Sequence, residues 1–347
     1  MTESERDSAF LRACRREPSA HTPIWLMRQA GRYQPEYREI RSKVTFVELC
    51  KRSDLAAEVT LLPVTQLGVD AAIVFADILL VLEPLGIGFE FTKGDGPSIT
   101  RPVRSARDID AVASEIDARE SLSYVLETIR IVCAALAGKV PLIGFAGAPF
   151  TLASYVIEGG ASRDYLHTKK LMYGDEGAWN ALMTKLSSAI IAYLNAQIEA
   201  GALAVQLFDS WIGTLGPADY RRYVQPHVAR IFREIDRRAA TIHFGTGNPA
   251  LYPLMKEAGG DVIGLDWRVD LGRTWTELGD VAIMGNLEPA ALLAPRAELE
   301  QRARAVLEGA AGRAGHVFNL GHGIHKETSV EQAKALVDFV HESSARR

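Results

Sequence analysis

The sequence predicts an α/β protein built as a single-domain (β/α)8 TIM barrel with loop and N-terminal extensions. Three observations carry this. Eight short apolar runs rich in Val, Ile and Phe end in turn or polar residues, and amphipathic segments lie between most of them. The 347 residues hold a barrel core of about 250, leaving roughly 100 for loops and extensions. Strands alternating with helices require parallel pairing, because parallel neighbours need crossovers. An open doubly wound sheet is the competing architecture. In this reading one domain spans 1–347, with about the first eight and the last five residues peripheral.

The runs are 23–26, 71–75, 140–145, 203–208, 241–244, 262–265, 281–284 and 316–320. They are apolar almost throughout, as strands covered on both faces should be. Residues 178–200 form the clearest helix, with Gly201 as its C-cap; 220–238 and 248–258 also read as helical. A last helix over 329–344 starts as a capping box, Ser329 standing three residues before Gln332. Asp77, Asp209, Ser210, Asp266, Asn286 and His322 each fall just after an apolar run. In a barrel these positions share the face on which active sites are built. The plainer alternative is that loops following strands are simply solvated.

Composition narrows the function. With 39 basic and 43 acidic side chains the net charge is −4, which argues against a general nucleic-acid binder. Residues 1–52 carry +4 and the remainder −8, so an anionic ligand must be met by local cations. Cys14, Cys50 and Cys133, odd in number and widely spaced, fit free thiols in a reducing compartment. The N-terminus has no apolar core of a signal peptide, and no stretch is apolar enough for a membrane span, so a cytoplasmic protein is expected.

Several segments carry chemistry. In PIWLMRQAGRY (23–33), Arg28 and Arg32 share a face if the turn is helical, and two guanidiniums so placed suit a carboxylate ligand. Pairing with Glu36 or Glu39 is the structural alternative. Gly31 between them permits close approach of a ligand. In VFADIL, Asp77 sits in so apolar a run that its carboxylate is costly without donors or a cation, unless it merely caps the next helix. GFAGAPFTLASY with EGG supplies small residues for a flat ligand, or for helix packing, and adds the Tyr155 hydroxyl. It is neither a dinucleotide fingerprint nor a P-loop. QLFDSW and NLGHG follow later strands; His322 in the latter suits anion donation or proton transfer near neutral pH. His322 with His325 hints at zinc only faintly, because every cysteine precedes residue 134.

PIWLMRQAGRY and GFAGAPFTLASYVIEGG resemble the two signature motifs of the uroporphyrinogen decarboxylase family. VFADIL, QLFDSW and NLGHG are similar to its other active-site segments, in the same order. The resemblance implies a distorted (β/α)8 barrel, normally a homodimer with facing clefts. It implies decarboxylation of the four acetates of uroporphyrinogen III to give coproporphyrinogen III, with no metal and no organic cofactor. By motif, Arg28 and Arg32 would bind substrate carboxylates in a loop shared with Gln29, Ala30 and Gly31. Asp77 would be the central aspartate and, with Arg28, catalytic. Tyr155, Ser210 and His322 would be further polar contacts, Phe46 and Phe208 pocket walls, and Trp211 stands where variation is expected.

Such a substrate presents carboxylates around four pyrrole N–H donors, so its site needs rim cations and a central acceptor. Protonating a pyrrole α-carbon creates the electron sink that cofactors supply elsewhere, and a fixed negative charge stabilises the cation formed. Two rivals share the scaffold: a zinc-dependent corrinoid methyltransferase and a non-catalytic tetrapyrrole carrier.

Overall fold

A computed structural model describes residues 7–92 and 96–346. Its strands are β1 (Ala72–Ile73), β2 (Phe89–Thr92), β3 (Gly96–Ile99), β4 (Leu142–Gly147), β5 (Ala204–Asp209), β6 (Ala240–Gly245), β7 (Val262–Gly264), β8 (Ala282–Met284) and β9 (His316–Val317). Seven of them form one parallel sheet in the order β1-β4-β5-β6-β7-β8-β9, while β2 and β3 make an antiparallel hairpin. The hairpin pairs Phe89 with Ile99 through Thr92 with Gly96, an alternation too short to stand out in the sequence.

The sheet closes through the first apolar run, which is a bridge and not a full strand. Phe318 N–H donates to Pro23 O at 2.8 Å, Trp25 N–H returns to Phe318 O at 3.3 Å, and Asp70 N–H donates to Ile24 O at 2.8 Å. Ile24 thus joins the last stave to the first, which rules out the open sheet. The ring is irregular, since this stave pairs through one residue. Strands take up apolar runs because both of their faces are covered: β4, β7 and β8 are buried at every position.

The helices largely follow their patterns. Glu176–Ala200 is capped by Asp175, whose carboxylate accepts from Ala178 N–H at 2.9 Å. The stretch expected as one helix over 220–238 is two, Pro217–Tyr223 and Gln225–Glu234; Pro226 cannot donate a backbone hydrogen bond into the preceding turn. Over 248–258 a 3₁₀ turn, Pro249–Leu251, precedes the Tyr252–Ala258 helix. Only half of the expected capping box forms at Val330–Ser344. Ser329 Oγ accepts from Gln332 N–H at 3.1 Å, but the Gln332 amide donates to Ala294 O at 2.8 Å. Near the end of the chain Arg346 N–H donates to Ala20 O at 2.8 Å. Among the described residues no helix is long and apolar enough to cross a membrane.

Candidate active site

The loop carrying Arg28 and Arg32 leaves the closing stave at the C-terminal end of the barrel. It is not helical, contrary to one expectation, but two successive turns: Gln29 N–H donates to Leu26 O at 2.8 Å and Gln34 N–H to Gly31 O at 3.0 Å. Arg28 itself takes a left-handed backbone, φ 61°, which a non-glycine residue adopts only when its surroundings enforce it. They do. Gln29, expected as a ligand contact, is fully buried; its amide accepts from Leu26 N–H at 3.0 Å and donates to Ala71 O at 3.0 Å. Tyr33 Oη donates to Gln29 O at 2.7 Å, and Gln34 accepts from Gly31 N–H at 3.0 Å. Ala30 packs against the small cluster of Tyr37, Leu49 and Val59.

The NLGHG segment locks against this loop. Asn319 Oδ1 accepts from both Met27 N–H at 2.9 Å and Leu320 N–H at 2.7 Å, and Ile324 N–H donates to Met27 O at 2.9 Å. A Cβ on Gly323 would run into the Arg28 stem, 2.9 Å from Cγ and 3.0 Å from Nε. Glycine is required there because the arginine lies across it. Neither arginine forms the ion pair allowed as an alternative: Glu39 is taken by Lys43 at 2.8 Å, and among the described residues no carboxylate pairs with the Arg28 or Arg32 guanidinium, although Arg32 O accepts from Arg38 Nη1 at 2.9 Å.

Asp77 follows β1 on the same rim. Leu79 N–H donates to its Oδ1 at 2.8 Å, a local turn bond that lies before the 3₁₀ turn Leu80–Leu85 and does not cap it, and this is the sole hydrogen bond to the carboxylate among the described residues. Burial raises its pKa to about 6, against the pull of that N–H and of the Arg28 charge. Tyr155, on the Pro149–Glu158 helix, is pushed up to about 12 by burial and by the Asp77 charge, with Arg28 opposing. Burial lowers His322 to about 4, and the Arg28 and Arg268 charges reinforce the shift. Arg28 therefore acts on Asp77, Tyr155 and His322 alike, and the four share one neighbourhood. The downward shift at His322 favours the neutral imidazole, whose ring still donates one hydrogen bond.

Phe46 and Phe208 each belong to a cluster of aromatic rings. Phe46 meets Phe75 and Phe91 edge-on, centroids 5.9 and 4.7 Å apart, and Tyr37 lies 5.7 Å from Phe75. Phe208 contacts Phe145 at 5.5 Å and Phe244 at 6.0 Å. The glycines of GFAG serve packing and not a flat ligand. The space of a Gly144 Cβ is taken by the Gln197 side chain, whose amide pairs both backbone groups of Phe145 at 2.8 and 2.9 Å. Leu152 and Ile78 fill the space beside Gly147.

A model of the family described as uroporphyrinogen decarboxylase (URO-D) matches residues 5–343. The chain belongs to that family. It is 57% identical over 334 residues to a uroporphyrinogen decarboxylase of Sorangium cellulosum, covering 96% of this chain and 95% of that one. It is 54% identical to one of Carboxydothermus hydrogenoformans, covering 98% and 97%. Among solved structures, a methyltransferase from Methanosarcina mazei superposes with a TM-score of 0.82 over 97% of this chain and 98% of that one. At 22% identity this last likeness shows the fold alone.

Within this family frame, sequence reasoning missed two groups on the rim. Arg268 lies over the Trp267 ring at 3.9 Å and pairs with buried Asp266 at 2.9 Å. Asp266 also accepts from Thr246 Oγ1 and Gly247 N–H, at 2.9 and 2.7 Å, so this aspartate clamps loops and is not itself presented to a ligand. Asn286 does likewise, donating to the carbonyls of Asp266 and Val269, both at 2.9 Å. The signal for Arg268 was its place two residues beyond Asp266. Thr151 is the second: its hydroxyl donates to Asp209 at 2.9 Å and accepts from Trp211 N–H at 3.3 Å. Burial raises Asp209 to about 7. Trp211 then lies against Tyr155, ring centroids 3.8 Å apart, and its neighbour Ser210 is half-buried on the same rim.

Proposed function

We propose that this chain is a carboxy-lyase that converts uroporphyrinogen III to coproporphyrinogen III, a step of haem biosynthesis, with no metal or organic cofactor. The observation that carries the reading is the buried Asp77 carboxylate within reach of the charge of Arg28, a residue without an ion pair among the described residues, in a chain that matches the decarboxylase family along 5–343. The whole chain works as one barrel, in the cytoplasm, and as a homodimer whose clefts face each other.

The roles follow from charge. Arg28 and Arg32 bind substrate carboxylates, each such charge-assisted contact contributing about 1.5–3 kcal/mol. Asp77 accepts the inner pyrrole N–H donors. Tyr155 and Ser210 offer hydroxyls and His322 a neutral N–H to the remaining acids, while Phe46 and Phe208 exclude water; Gln29, Ala30 and Gly31 shape the loop. A proton added to a pyrrole α-carbon makes the ring cationic, and Asp77 stabilises that charge in a water-poor site. The bond to the carboxyl group then breaks, its electrons pass into the ring, CO2 leaves, and the methylene takes a proton to become a methyl. Loss of the α-proton restores the pyrrole. Each acetate thus consumes one net proton.

The test is to incubate purified protein with uroporphyrinogen under reducing conditions and separate the products by carboxyl number. Stepwise appearance of hepta-, hexa-, penta- and tetracarboxylates is expected; an unchanged octa-acid bound without turnover would make the chain a carrier. A zinc methyltransferase reading gains nothing from this rim, where no cysteine follows Cys133 to supply a thiolate.

A further inference from the structure

Away from the rim, at the N-terminal end of β1, three groups from distant parts of the chain converge. Asp70 precedes β1, His21 lies in the N-terminal segment, and His341 is near the end of the last helix. His21 Nε2 is 2.9 Å from Asp70 Oδ1 and His341 Nε2 is 2.8 Å from Oδ2. The two imidazoles meet edge-on, centroids 4.5 Å apart. Among the described residues this is the one place where three metal-capable side chains meet, with their ligand atoms all within 4.8 Å of one another.

We infer that His21, Asp70 and His341 form a binding site for a divalent transition cation of the zinc class, at the seam where the barrel closes. In tetrahedral coordination, ligand atoms about 2.0–2.2 Å from zinc stand roughly 3.3 Å apart. The two printed contacts, 2.9 and 2.8 Å, fall a little short of that value and no pair of ligand atoms exceeds 4.8 Å, so side-chain rotations convert the hydrogen-bonded cluster into a chelate. Imidazole and carboxylate are the ligand types that zinc, nickel and copper favour. The side chains of His21, Asp70 and His341 are 28, 15 and 30% exposed, which leaves water access to complete the coordination. The frame is braced. Ile24 N–H donates to Asp70 Oδ2 at 2.7 Å, and Thr22 N–H donates to Ser344 Oγ at 2.9 Å. A cation there would tie the N-terminal segment, β1 and the last helix together, far from the decarboxylation chemistry. Binding displaces the Nε2 protons and stabilises the folded chain, because the unfolded chain does not assemble the site.

The experiment uses the full chain after chelator treatment, titrated with Co2+ alone and then with Zn2+. One equivalent of Co2+ with the absorption bands of a low-coordinate nitrogen–oxygen site, displaced by Zn2+, is expected, with a rise of several degrees in Tm on adding zinc. His341→Ala should abolish both the bands and the Tm shift while leaving decarboxylation within twofold. Should that variant fail to fold, His21→Gln in the part-exposed N-terminal segment serves the same purpose. Absence of saturable Co2+ binding, or equal binding by the variant, overturns the assignment and leaves the cluster a proton-held staple.

Discussion

Asp70 and Asp77 flank β1, one at each end of the barrel, and both are largely enclosed by protein. Asp70 accepts from His21, His341 and Ile24 N–H, and its pKa lies below the ordinary carboxylate value even though burial opposes it. Asp77 has Leu79 N–H as its one donor among the described residues and is raised to about 6. The same residue type on the same strand is therefore satisfied at one end and left wanting donors at the other. Structural carboxylates are surrounded by donors, whereas a carboxylate built to receive a ligand's N–H groups is kept short of them.

The comparison breaks most visibly by exchanging charge for shape. Asp77→Asn is expected to lower kcat by about 10²–10³ while leaving the denaturant midpoint nearly unchanged, because a preorganised charge is lost and little packing is. Retention of more than half the wild-type kcat would remove Asp77 from the chemistry. Next in size, Arg28→Ala should weaken handling of the octa-acid by roughly 10- to 150-fold in kcat/KM, with Arg28→Lys recovering part because an ammonium lacks the bidentate fork. A sharp fall in Tm with kcat and KM within twofold would instead make Arg28 scaffold.

Asp70→Asn should do the reverse. We expect a loss of about 1–2 kcal/mol in stability, discounted for partial exposure, and a kcat within twofold of wild type, read from urea titrations beside turnover. The two ends should also respond oppositely to acid. Asp70 is lowered, so its contribution is full above the ordinary carboxylate range and is lost as pH falls through its native value. Asp77, raised to about 6, holds a proton that the unfolded chain releases earlier, so its contribution to stability declines as pH rises from about 4 to 6. Activity needs it ionised, and kcat/KM should fall about tenfold per pH unit below 6. His322, lowered to about 4, should add no limb near neutrality, and His322→Asn should keep the shape of that profile. The smallest effect is expected of chelators: turnover at 25 °C unchanged, since the proposed cation sits at the other end of the barrel. Activity lost on chelation and restored by zinc would move a metal into the cleft.

Much of this was legible in the residues. Each of the eight apolar runs occupies a stave, because burial on both faces leaves no room for polar alternation. The first run, at Ile24, differs in kind: it closes the ring through one bridge to Phe318 and one hydrogen bond from Asp70 N–H, a matter of register that hydrophobicity does not encode. Arg28, Asp77, Tyr155 and His322 were all readable from motifs, and the structure brings them together. Gln29 illustrates what was not. The family resemblance implies a place for it in the substrate-contacting loop, while in the fold its amide is engaged by Leu26 and Ala71. Gly144 and Gly147 read as floor for a flat ligand and are filled by Gln197, Leu152 and Ile78.

Local sequence therefore determined which residues carry charge, which stretches must be buried, and that the polar residues after each strand gather on one rim, since those follow from side-chain chemistry and the period of the backbone. Tertiary structure alone decided how many donors each of those polar groups meets. That number separates Asp266, held by several loop donors, from Asp77, which meets one among the described residues, while burial and nearby charge lower His322. It depends on groups brought from far along the chain, such as Arg28 and Arg268 beside His322, or His341 beside Asp70. Desolvation and charge act through space over a few ångströms, so only the packed arrangement fixes them.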